Sequence, residues 1–166
     1  MRTTKLSLNG IHSDIISTPA GIPQGSPLSP ILYILYNSDL LEIFTENPGA
    51  LKLGFIDDIA YAVKGSNATS NVEKLSKMMA KADEWRTKHG AQFEVSKYML
   101  IHFTKRSAQN ATAPIKIGET TIHPVNEARY LGVIFDRELQ FKSHLQYVVK
   151  KGTKFALAMT SIAKAS

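Results

Sequence analysis

The sequence places two adjacent aspartates, Asp57 and Asp58, between two short apolar segments. Residues 51–56 and 59–63 are predicted strands, so the two carboxylates are predicted at the tip of an antiparallel hairpin. A two-residue hairpin turn prefers Asn-Gly or Asp-Gly and does not favour two like charges side by side. Because a local preference that is broken in this way is typical of a functional site, these aspartates are candidates for chemistry.

Carboxylates at the end of two buried strands are suited to a hard divalent cation. Mg²⁺ takes oxygen ligands at about 2.0–2.1 Å and commonly shares them with the phosphates of a substrate. Two such ions about 3.5–4 Å apart stabilise both the attacking and the leaving oxygen of a phosphoryl transfer. The alternative is a turn whose charges only keep its tip soluble, and the Asp-Asp pair alone does not decide between the two interpretations.

The segment before this hairpin is rich in glycine and proline, and residues 20–30 read AGIPQGSPLSP. Glycine lets a backbone approach a ligand closely, proline fixes the path of the chain, and glutamine both donates and accepts hydrogen bonds. A purely structural loop that leads into a helix would explain the final Ser-Pro pair. It would not explain the Pro-Gln-Gly sequence at 23–25, which therefore favours a ligand-contacting loop.

The remaining pattern mixes helices with antiparallel hairpins. An apolar segment at 31–44 predicts a buried helix, and a capping box at 70–73 predicts the start of an amphipathic helix that ends at Gly90. Asn9-Gly10 predicts a hairpin, and residues 145–162 predict a last amphipathic helix. Further strands are predicted at 93–95, 99–103, 115–117, 121–122 and 130–135. The predicted fold class is therefore α+β, an antiparallel sheet with helices packed on one face.

Positive charge is concentrated at the C-terminal end. The chain has 20 Lys and Arg against 14 Asp and Glu, a net charge of +6. Residues 137–166 hold six Lys or Arg and one Glu, a net charge of +5. Nucleic acid is a partner that would explain this excess, and a solvated helix face is the alternative.

Composition argues against several other kinds of site and partner. The chain has no cysteine, so it offers no disulfide framework and no thiolate metal site. The five histidines are scattered without metal-ligand spacing. No apolar run is long enough to cross a bilayer, and the first residues lack the apolar core of a signal peptide. We therefore expect an intracellular protein with no membrane partner.

The order of these segments resembles that of the reverse transcriptases. GIPQGSPLSP at 21–30, followed by FIDD at 55–58, is similar to motifs B and C of that family. Residues 84–103 resemble motif D, and RYLGV at 129–133 with the following FD resembles motif E, the hairpin that holds the primer. The combination is most like the enzymes of non-LTR (LINE-type) retrotransposons, and the resemblance covers about residues 3–165.

The resemblance implies an RNA-directed DNA polymerase that carries out template-directed nucleotidyl transfer by two-metal catalysis. Its fold would be a partial polymerase palm at residues 1–136, followed by the first helix of the thumb at 137–166. The implied cofactor is Mg²⁺, with Mn²⁺ as the other candidate. The implied partners are an RNA template, a DNA primer and deoxynucleoside triphosphates, and the implied place of work is the nucleus.

The resemblance also assigns roles to individual residues. Asp57 and Asp58 would be the catalytic metal ligands, and Lys97 would protonate the leaving pyrophosphate, although a solvated charge is the alternative for this lysine. The residues that would contact the template base, the incoming nucleotide and the primer end are Pro23, Gln24, Gly25, Ser26, Phe55 and Ile56. The residues that would contact the primer backbone are Tyr130, Leu131, Gly132, Lys150, Lys151 and Lys154.

One departure from the family concerns motif A, which supplies a third carboxylate from a strand before motif B. Only twenty residues precede Gly21, and they match the hairpin just before motif B. Asp14 lies in that hairpin and Asp39 in the helix after motif B, so neither stands in a motif A context. We therefore expect the motif A segment and the fingers of the parent polyprotein to be missing partners, and the isolated chain to be inactive.

Two other functions remain open at this point. The first is a non-catalytic nucleic-acid-binding remnant of a decayed element, which would use the basic C-terminal helix. The second is a polymerase of another template class, such as an RNA-dependent RNA polymerase. Those enzymes usually carry Gly-Asp-Asp and lack Pro-Gln-Gly, so the sequence argues against the second.

Overall fold

The computed structural model describes residues 2–42, 49–104 and 111–164. Within these ranges, helices alternate with antiparallel two-stranded hairpins, which confirms the predicted α+β class. Among the described helices, none is both long enough and apolar enough to cross a membrane.

Two nested hairpins precede the glycine- and proline-rich loop. Their strands are β1 (Thr3–Thr4), β2 (Ser7–Leu8), β3 (Ile11–His12) and β4 (Ile16–Ser17). Strand β1 pairs with β4 and β2 pairs with β3, both antiparallel. Asn9 and Gly10 both have positive φ, 51° and 79°, in the inner turn. This is the geometry that favours Asn-Gly, and it confirms the predicted hairpin.

The central part of the chain consists of two helices and one long hairpin. The elements are α1 (Ser29–Glu42), β5 (Ala50–Phe55), β6 (Asp58–Val63) and α2 (Ala68–His89). Helix α1 begins two residues before the predicted helix at 31–44, and residues 43–44 lie outside the described ranges. At the turn, β5 ends and β6 begins one residue earlier than predicted.

Helix α2 begins before the predicted capping box at 70–73, because Asn67 provides an earlier N-cap. The side-chain oxygen of Asn67 accepts the backbone N–H of Ser70 at 2.8 Å, and Asn is at least as good an N-cap as Ser. Gly90 ends the helix with φ 63° and donates its N–H to the last turn, as predicted.

Both helices pack on the same face of the β5–β6 hairpin, as predicted. Leu40 of α1 and Trp85 of α2 belong to one buried cluster, against which Ile59 and Tyr61 of β6 pack. The Tyr61 hydroxyl donates to the Leu40 carbonyl at 3.1 Å, and burial raises the pKa of Tyr61 to about 12. The opposite face of the hairpin is open, and its large apolar residues Leu51, Leu53 and Phe55 are exposed.

The strands predicted at 93–95 and 99–103 do not form. Val95–Lys97 is instead one turn of 3₁₀ helix, and Leu100 makes only an isolated bridge with Pro124. A strand requires a neighbouring strand for its hydrogen bonds. The described sheets are all two-stranded hairpins, and none of their strands pairs with either segment.

Two short hairpins and a long helix complete the described chain. The elements are β7 (Ile115–Ile117), β8 (Thr120–Ile122), β9 (Glu127–Tyr130), β10 (Val133–Asp136) and α3 (Lys142–Lys164). The single strand predicted at 130–135 is wrong, because the chain turns back at Leu131 and Gly132. Both residues have positive φ, 47° and 86°, and they form the two-residue turn of the β9–β10 hairpin.

A single carboxylate organises the loop between β10 and α3. Asp136 accepts backbone N–H groups from Gln140, Phe141 and Glu138. These hydrogen bonds, led by that of Gln140, lower the pKa of Asp136. Leu139 and Phe141 adopt left-handed φ values of 56° and 58° within this loop. The direction in which α3 leaves the hairpin therefore depends on Asp136.

Candidate active site

The turn of the β5–β6 hairpin consists of Ile56 and Asp57, because Phe55 pairs with Asp58. Asp58 is thus the first residue of β6 rather than part of the turn, a shift of one residue from the prediction. Both aspartates are exposed. Among the residues that the structure describes, no hydrogen bond or ion pair engages either carboxylate, so both present free oxygens at the end of the hairpin.

Ile56 holds a strained conformation next to these carboxylates. Its φ is 54°, at the first central position of the turn, where a type II′ turn prefers glycine. A positive φ is a genuine outlier for a β-branched residue, and it costs about 1–3 kcal/mol. Such strain persists only where the surrounding structure imposes it, so the contacts of this turn matter for the site.

Asn37 of helix α1 supplies the main polar contact to the turn. Its side-chain amide donates to the Ile56 carbonyl at 2.8 Å, and Asn37 is only 7% exposed. The amide therefore ties the strained turn directly to the helix that follows the glycine- and proline-rich loop. Sequence reasoning missed Asn37, and the available signal was a polar amide directly after the apolar residues 31–36 of this helix.

Gly54 allows α1 to approach the hairpin closely just before the turn. A Cβ atom at this position would lie 3.0 Å from Cδ1 of Leu41 and 3.3 Å from its Cδ2. Any larger residue would push the Leu41 side chain aside. The position of the aspartates relative to α1 is therefore set by both the Asn37 hydrogen bond and the Gly54 contact.

The glycine- and proline-rich loop is fixed at both ends and exposed in its middle. The Arg2 guanidinium donates to the Gly21 carbonyl at 2.7 Å, and the Ser29 hydroxyl donates to the Pro23 carbonyl. Residues 24–25 are exposed between these two contacts. The loop thus leaves the predicted Gln and Gly contacts accessible to a ligand.

Tyr130 is a predicted primer-contacting residue at the end of β9. Its hydroxyl oxygen is buried and has no hydrogen-bond partner in the described part of the chain. Burial raises the pKa of Tyr130, and the charge of Asp58 raises it further. Asp58 and the Tyr130 phenol are therefore within electrostatic reach of each other, across two separate hairpins.

Lys97 lies at the end of the 3₁₀ turn and is exposed. No hydrogen bond or ion pair in the described part of the chain joins Lys97 to Asp57 or Asp58. Its nearby charge contributes to the lowered pKa of Glu94, after the hydrogen bonds from Ser96. The role of Lys97 in the chemistry stays a prediction.

The three predicted thumb lysines, Lys150, Lys151 and Lys154, are all exposed on α3. Tyr147 is the last half-buried residue of this helix, and residues 148–163 are exposed throughout. The Lys151 ammonium lies 6.0 Å from the centroid of the Tyr147 ring. These lysines therefore stand beyond the part of α3 that contacts the β9–β10 hairpin.

Two free carboxylates fit part of the ligand set of a hard divalent cation. Carboxylate oxygens are the ligands that Mg²⁺ and Mn²⁺ prefer. Among the described residues, no group of three or more His, Cys, Asp or Glu side chains comes together. The pair can accordingly supply two carboxylates to a metal ion, but the described chain adds no further side chain of these kinds.

Comparison with known proteins identifies the family. The family described as "Reverse transcriptase (RNA-dependent DNA polymerase)" matches residues 3–135. A probable RNA-directed DNA polymerase from transposon X-element of Drosophila melanogaster is 30% identical over 127 residues, which are 76% of this chain and 14% of that protein. The RNA-directed DNA polymerase from mobile element jockey of Drosophila funebris is 27% identical over 148 residues, 87% of this chain and 16% of that protein.

A putative 115 kDa protein in type-1 retrotransposable element R1DM of Drosophila melanogaster is 21% identical over 145 residues. These residues are 87% of this chain and 14% of that protein. The chain thus spans about one seventh of the length of these relatives. No solved structure matches it. The resemblance to retrotransposon polymerases of the non-LTR type is confirmed, and the chain belongs to the reverse transcriptase (RNA-dependent DNA polymerase) family.

Proposed function

We propose that residues 1–136 are part of the palm of an RNA-directed DNA polymerase and that residues 137–166 begin its thumb. The observation that carries the proposal is the aspartate hairpin. Asp57 and Asp58 present free carboxylates at a strained turn, which the buried amide of Asn37 holds in place. Strain that is maintained in this way is typical of a functional site, and the family match over residues 3–135 supports the same function.

The proposed substrates are an RNA template, a DNA primer and deoxynucleoside triphosphates. The primer end would lie against the open face of the β5–β6 hairpin, beside Phe55 and Ile56. The exposed part of the loop at 23–26 would contact the templating base and the incoming nucleotide. The turn at 130–132 would approach the primer backbone, since its residues Leu131 and Gly132 are exposed.

Asp57 and Asp58 would hold Mg²⁺ or Mn²⁺. When bound, the metal would stabilise the charge that develops on the phosphate oxygens during nucleotidyl transfer. Lys97 would donate the proton to the leaving pyrophosphate. Because the described residues add no further acidic side chain to this pair, we propose that a third carboxylate comes from another segment of the parent polyprotein.

Primer extension tests the function. The assay compares this 166-residue chain alone with the same chain joined to the upstream segment of its element, using a primed RNA template, Mg²⁺ and deoxynucleotides. We expect synthesis only from the joined protein. Asp57→Asn in the joined protein should lower the rate by at least about 100-fold, the typical effect of removing one electrostatic group from a transition state.

Asp14→Asn is the matched control, because Asp14 is an exposed aspartate outside the β5–β6 hairpin. This variant should retain full activity. Synthesis that survives Asp57→Asn unchanged would overturn the assignment of the site. Robust synthesis by the 166-residue chain alone would show that no third carboxylate from another segment is required.

A second candidate function is nucleic-acid binding without catalysis. It is favoured by the absence of a third acidic ligand among the described residues and by the net charge of +5 over residues 137–166. A chain of this kind would bind nucleic acid, but joining it to an upstream carboxylate segment would not produce synthesis. The same primer-extension experiment therefore separates the two functions.

A further inference from the structure

His89, the last residue of helix α2, contacts helix α1 through both its main chain and its ring. The Tyr36 hydroxyl donates to the His89 carbonyl at 3.0 Å, and the two rings lie edge to face with centroids 5.9 Å apart. Nε2 of His89 lies 4.0 Å from Oδ2 of Asp39. Because Tyr36 and Asp39 are three residues apart, they are neighbours on α1. His89 therefore faces one side of that helix.

A main-chain contact decides which ring nitrogen of His89 gains and loses a proton. Nδ1 lies 2.9 Å from the carbonyl oxygen of Trp85, one turn earlier in α2. A carbonyl oxygen only accepts hydrogen bonds, so Nδ1 carries a proton in both the neutral and the charged ring. The nitrogen that titrates is therefore Nε2, which is the one that lies near the Asp39 carboxylate.

The surroundings of the ring suit a protonated imidazole. It stacks on the Trp85 ring with centroids 4.4 Å apart and an angle of 21° between the planes, and the face of an aromatic ring attracts cations. His89 also ends α2, where the helix dipole favours positive charge. A charged His89 is thus stabilised from its own helix as well as from α1.

Asp39 is the counter-charge that the structure offers to this cation. In the part of the chain that the structure describes, it is the only acid within 4.0 Å of a ring nitrogen of His89. Helix α1 also presents the Tyr36 ring. The segment after α2 contributes the uncharged Phe93, which stacks on Trp85 with centroids 6.4 Å apart. Protonation at Nε2 would therefore create an ion pair between α2 and α1.

Helix α1 also carries the amide that holds the aspartate turn. Asn37 lies between Tyr36 and Asp39 in sequence, and its side chain donates to the Ile56 carbonyl at 2.8 Å. The contacts with His89 and with the turn thus act on the same four residues of one helix. Because a hydrogen bond weakens steeply when its distance or angle changes, the Asn37 contact depends on how firmly this part of α1 is held.

We propose that His89 is a positioning residue of the polymerase site, which holds α1 behind the aspartate turn through an ion pair with Asp39. The pair forms only when His89 is protonated, so its contribution is present at low pH and is lost as the pH rises through the range of about 5 to 8 in which histidine changes its charge. The inference rests on the proposed function, because it concerns the same aspartates. The ion pair itself requires neither metal nor substrate.

A double-mutant cycle tests the ion pair. The 166-residue chain, His89→Gln, Asp39→Asn and the double variant are unfolded in urea at pH 5.5 and at pH 8.5, and the coupling is the effect that the single variants do not account for. The Asp39 side chain is 64% exposed, so solvent screens the pair. We therefore expect a coupling of about twofold to fivefold in the unfolding equilibrium constant at pH 5.5, as for exposed ion pairs, and none at pH 8.5.

The matched control is the same cycle with Arg86→Gln and Asp83→Asn. These two side chains form an ion pair at 2.6 Å within α2. Arginine and aspartate both keep their charges between pH 5.5 and pH 8.5, so this coupling should be equal at the two pH values. Absence of coupling between His89 and Asp39 at pH 5.5, or equal coupling at both pH values, would overturn the ion pair.

The NMR signal of the Asn37 side-chain amide tests whether the ion pair acts on the turn. Between pH 5.5 and pH 8.5, we expect this signal to shift in step with the imidazole signals of His89 in the unmodified chain, and to stay in place in Asp39→Asn. Asp39 is exposed, so this variant should keep the fold. An Asn37 signal that stays fixed in the unmodified chain, or that moves equally in the variant, would overturn the positioning role. Neither measurement requires DNA synthesis, so failure of this inference is distinguishable from failure of the proposed function.

Discussion

The aspartate hairpin and helix α3 both carry exposed charges, but only the hairpin has a core beneath it. Leu40, Met78, Ala82 and Trp85 are all buried in α1 and α2, and the cluster of Leu40, Ala82 and Trp85 packs against strand β6. In α3, no described side chain is buried, and apolar residues such as Phe155 and Ile162 are 61% and 72% exposed. The first region is held by packing, and the second is held by the loop at Asp136 and the contacts around Tyr147.

This difference fits the two tasks that we propose for the chain, metal binding and nucleic-acid binding. A metal-binding carboxylate must be placed within about 0.5 Å of its productive position, which requires support from rigid elements. Attraction between lysines and phosphates tolerates a range of positions, because it is long-ranged and not sequence-specific. The molecule accordingly concentrates its buried contacts and its strained turn at the aspartates, and leaves the basic helix exposed.

Replacing the central aromatic residue of the core gives the largest expected effect on stability. Trp85 is 6% exposed, and Trp85→Ala should lower the free energy of unfolding by about 3–5 kcal/mol. Phe155→Ala, at an exposed aromatic of α3, should change it by no more than about 0.5 kcal/mol. Urea unfolding followed by circular dichroism measures both, since Trp85 is the only tryptophan and its fluorescence is lost in the variant. Equal losses would mean that α3 is as firmly packed as the core.

Removing the amide that holds the turn should have a smaller effect on stability and a specific effect on synthesis. Asn37→Leu leaves the Ile56 carbonyl without its partner and should cost about 1–3 kcal/mol. In the joined polymerase it should lower the rate of primer extension while the affinity for template is retained. The matched control is Ser38→Ala, the next residue of α1, whose hydroxyl bonds only within its own helix. Identical behaviour of the two variants would contradict the role of Asn37 in placing Asp57.

Acid should destabilise the loop that connects α3 to the β9–β10 hairpin, and this is the smallest expected effect. Hydrogen bonds from Gln140, Phe141 and Glu138 lower the pKa of Asp136. A carboxylate whose pKa is lowered by folding contributes stability at pH values above its pKa in the unfolded chain, which is near 4. That contribution is lost as the pH falls through its pKa in the folded chain. Thermal unfolding between pH 6 and pH 2.5 should therefore depend less on pH in Asp136→Asn than in the unmodified chain. Glu119→Gln, in an exposed turn, is the control and should retain the original pH dependence.

Local sequence patterns predicted several elements because their causes are local. Asn9-Gly10 forms its turn through its own backbone preferences, and Gly90 ends α2 for the same reason. The hairpin at Asp57 and Asp58 followed from two apolar segments around a polar pair, and was displaced by only one residue. The family followed from the order of its motifs, which the match over residues 3–135 confirms.

Contacts between distant residues were decided by the tertiary structure alone. The Asn37 amide bonds a carbonyl 19 residues away, and Arg129 reaches Tyr147 across 18 residues. The predicted strands at 93–95 and 99–103 failed because β-pairing depends on a neighbour that their own sequence does not specify. Likewise, burial and then the charge of Asp58 raise the pKa of Tyr130, although the two residues belong to different hairpins. The sequence by itself therefore determined which residues are able to do chemistry, whereas packing between distant elements decided how they are held, because local preferences carry no information about distant neighbours.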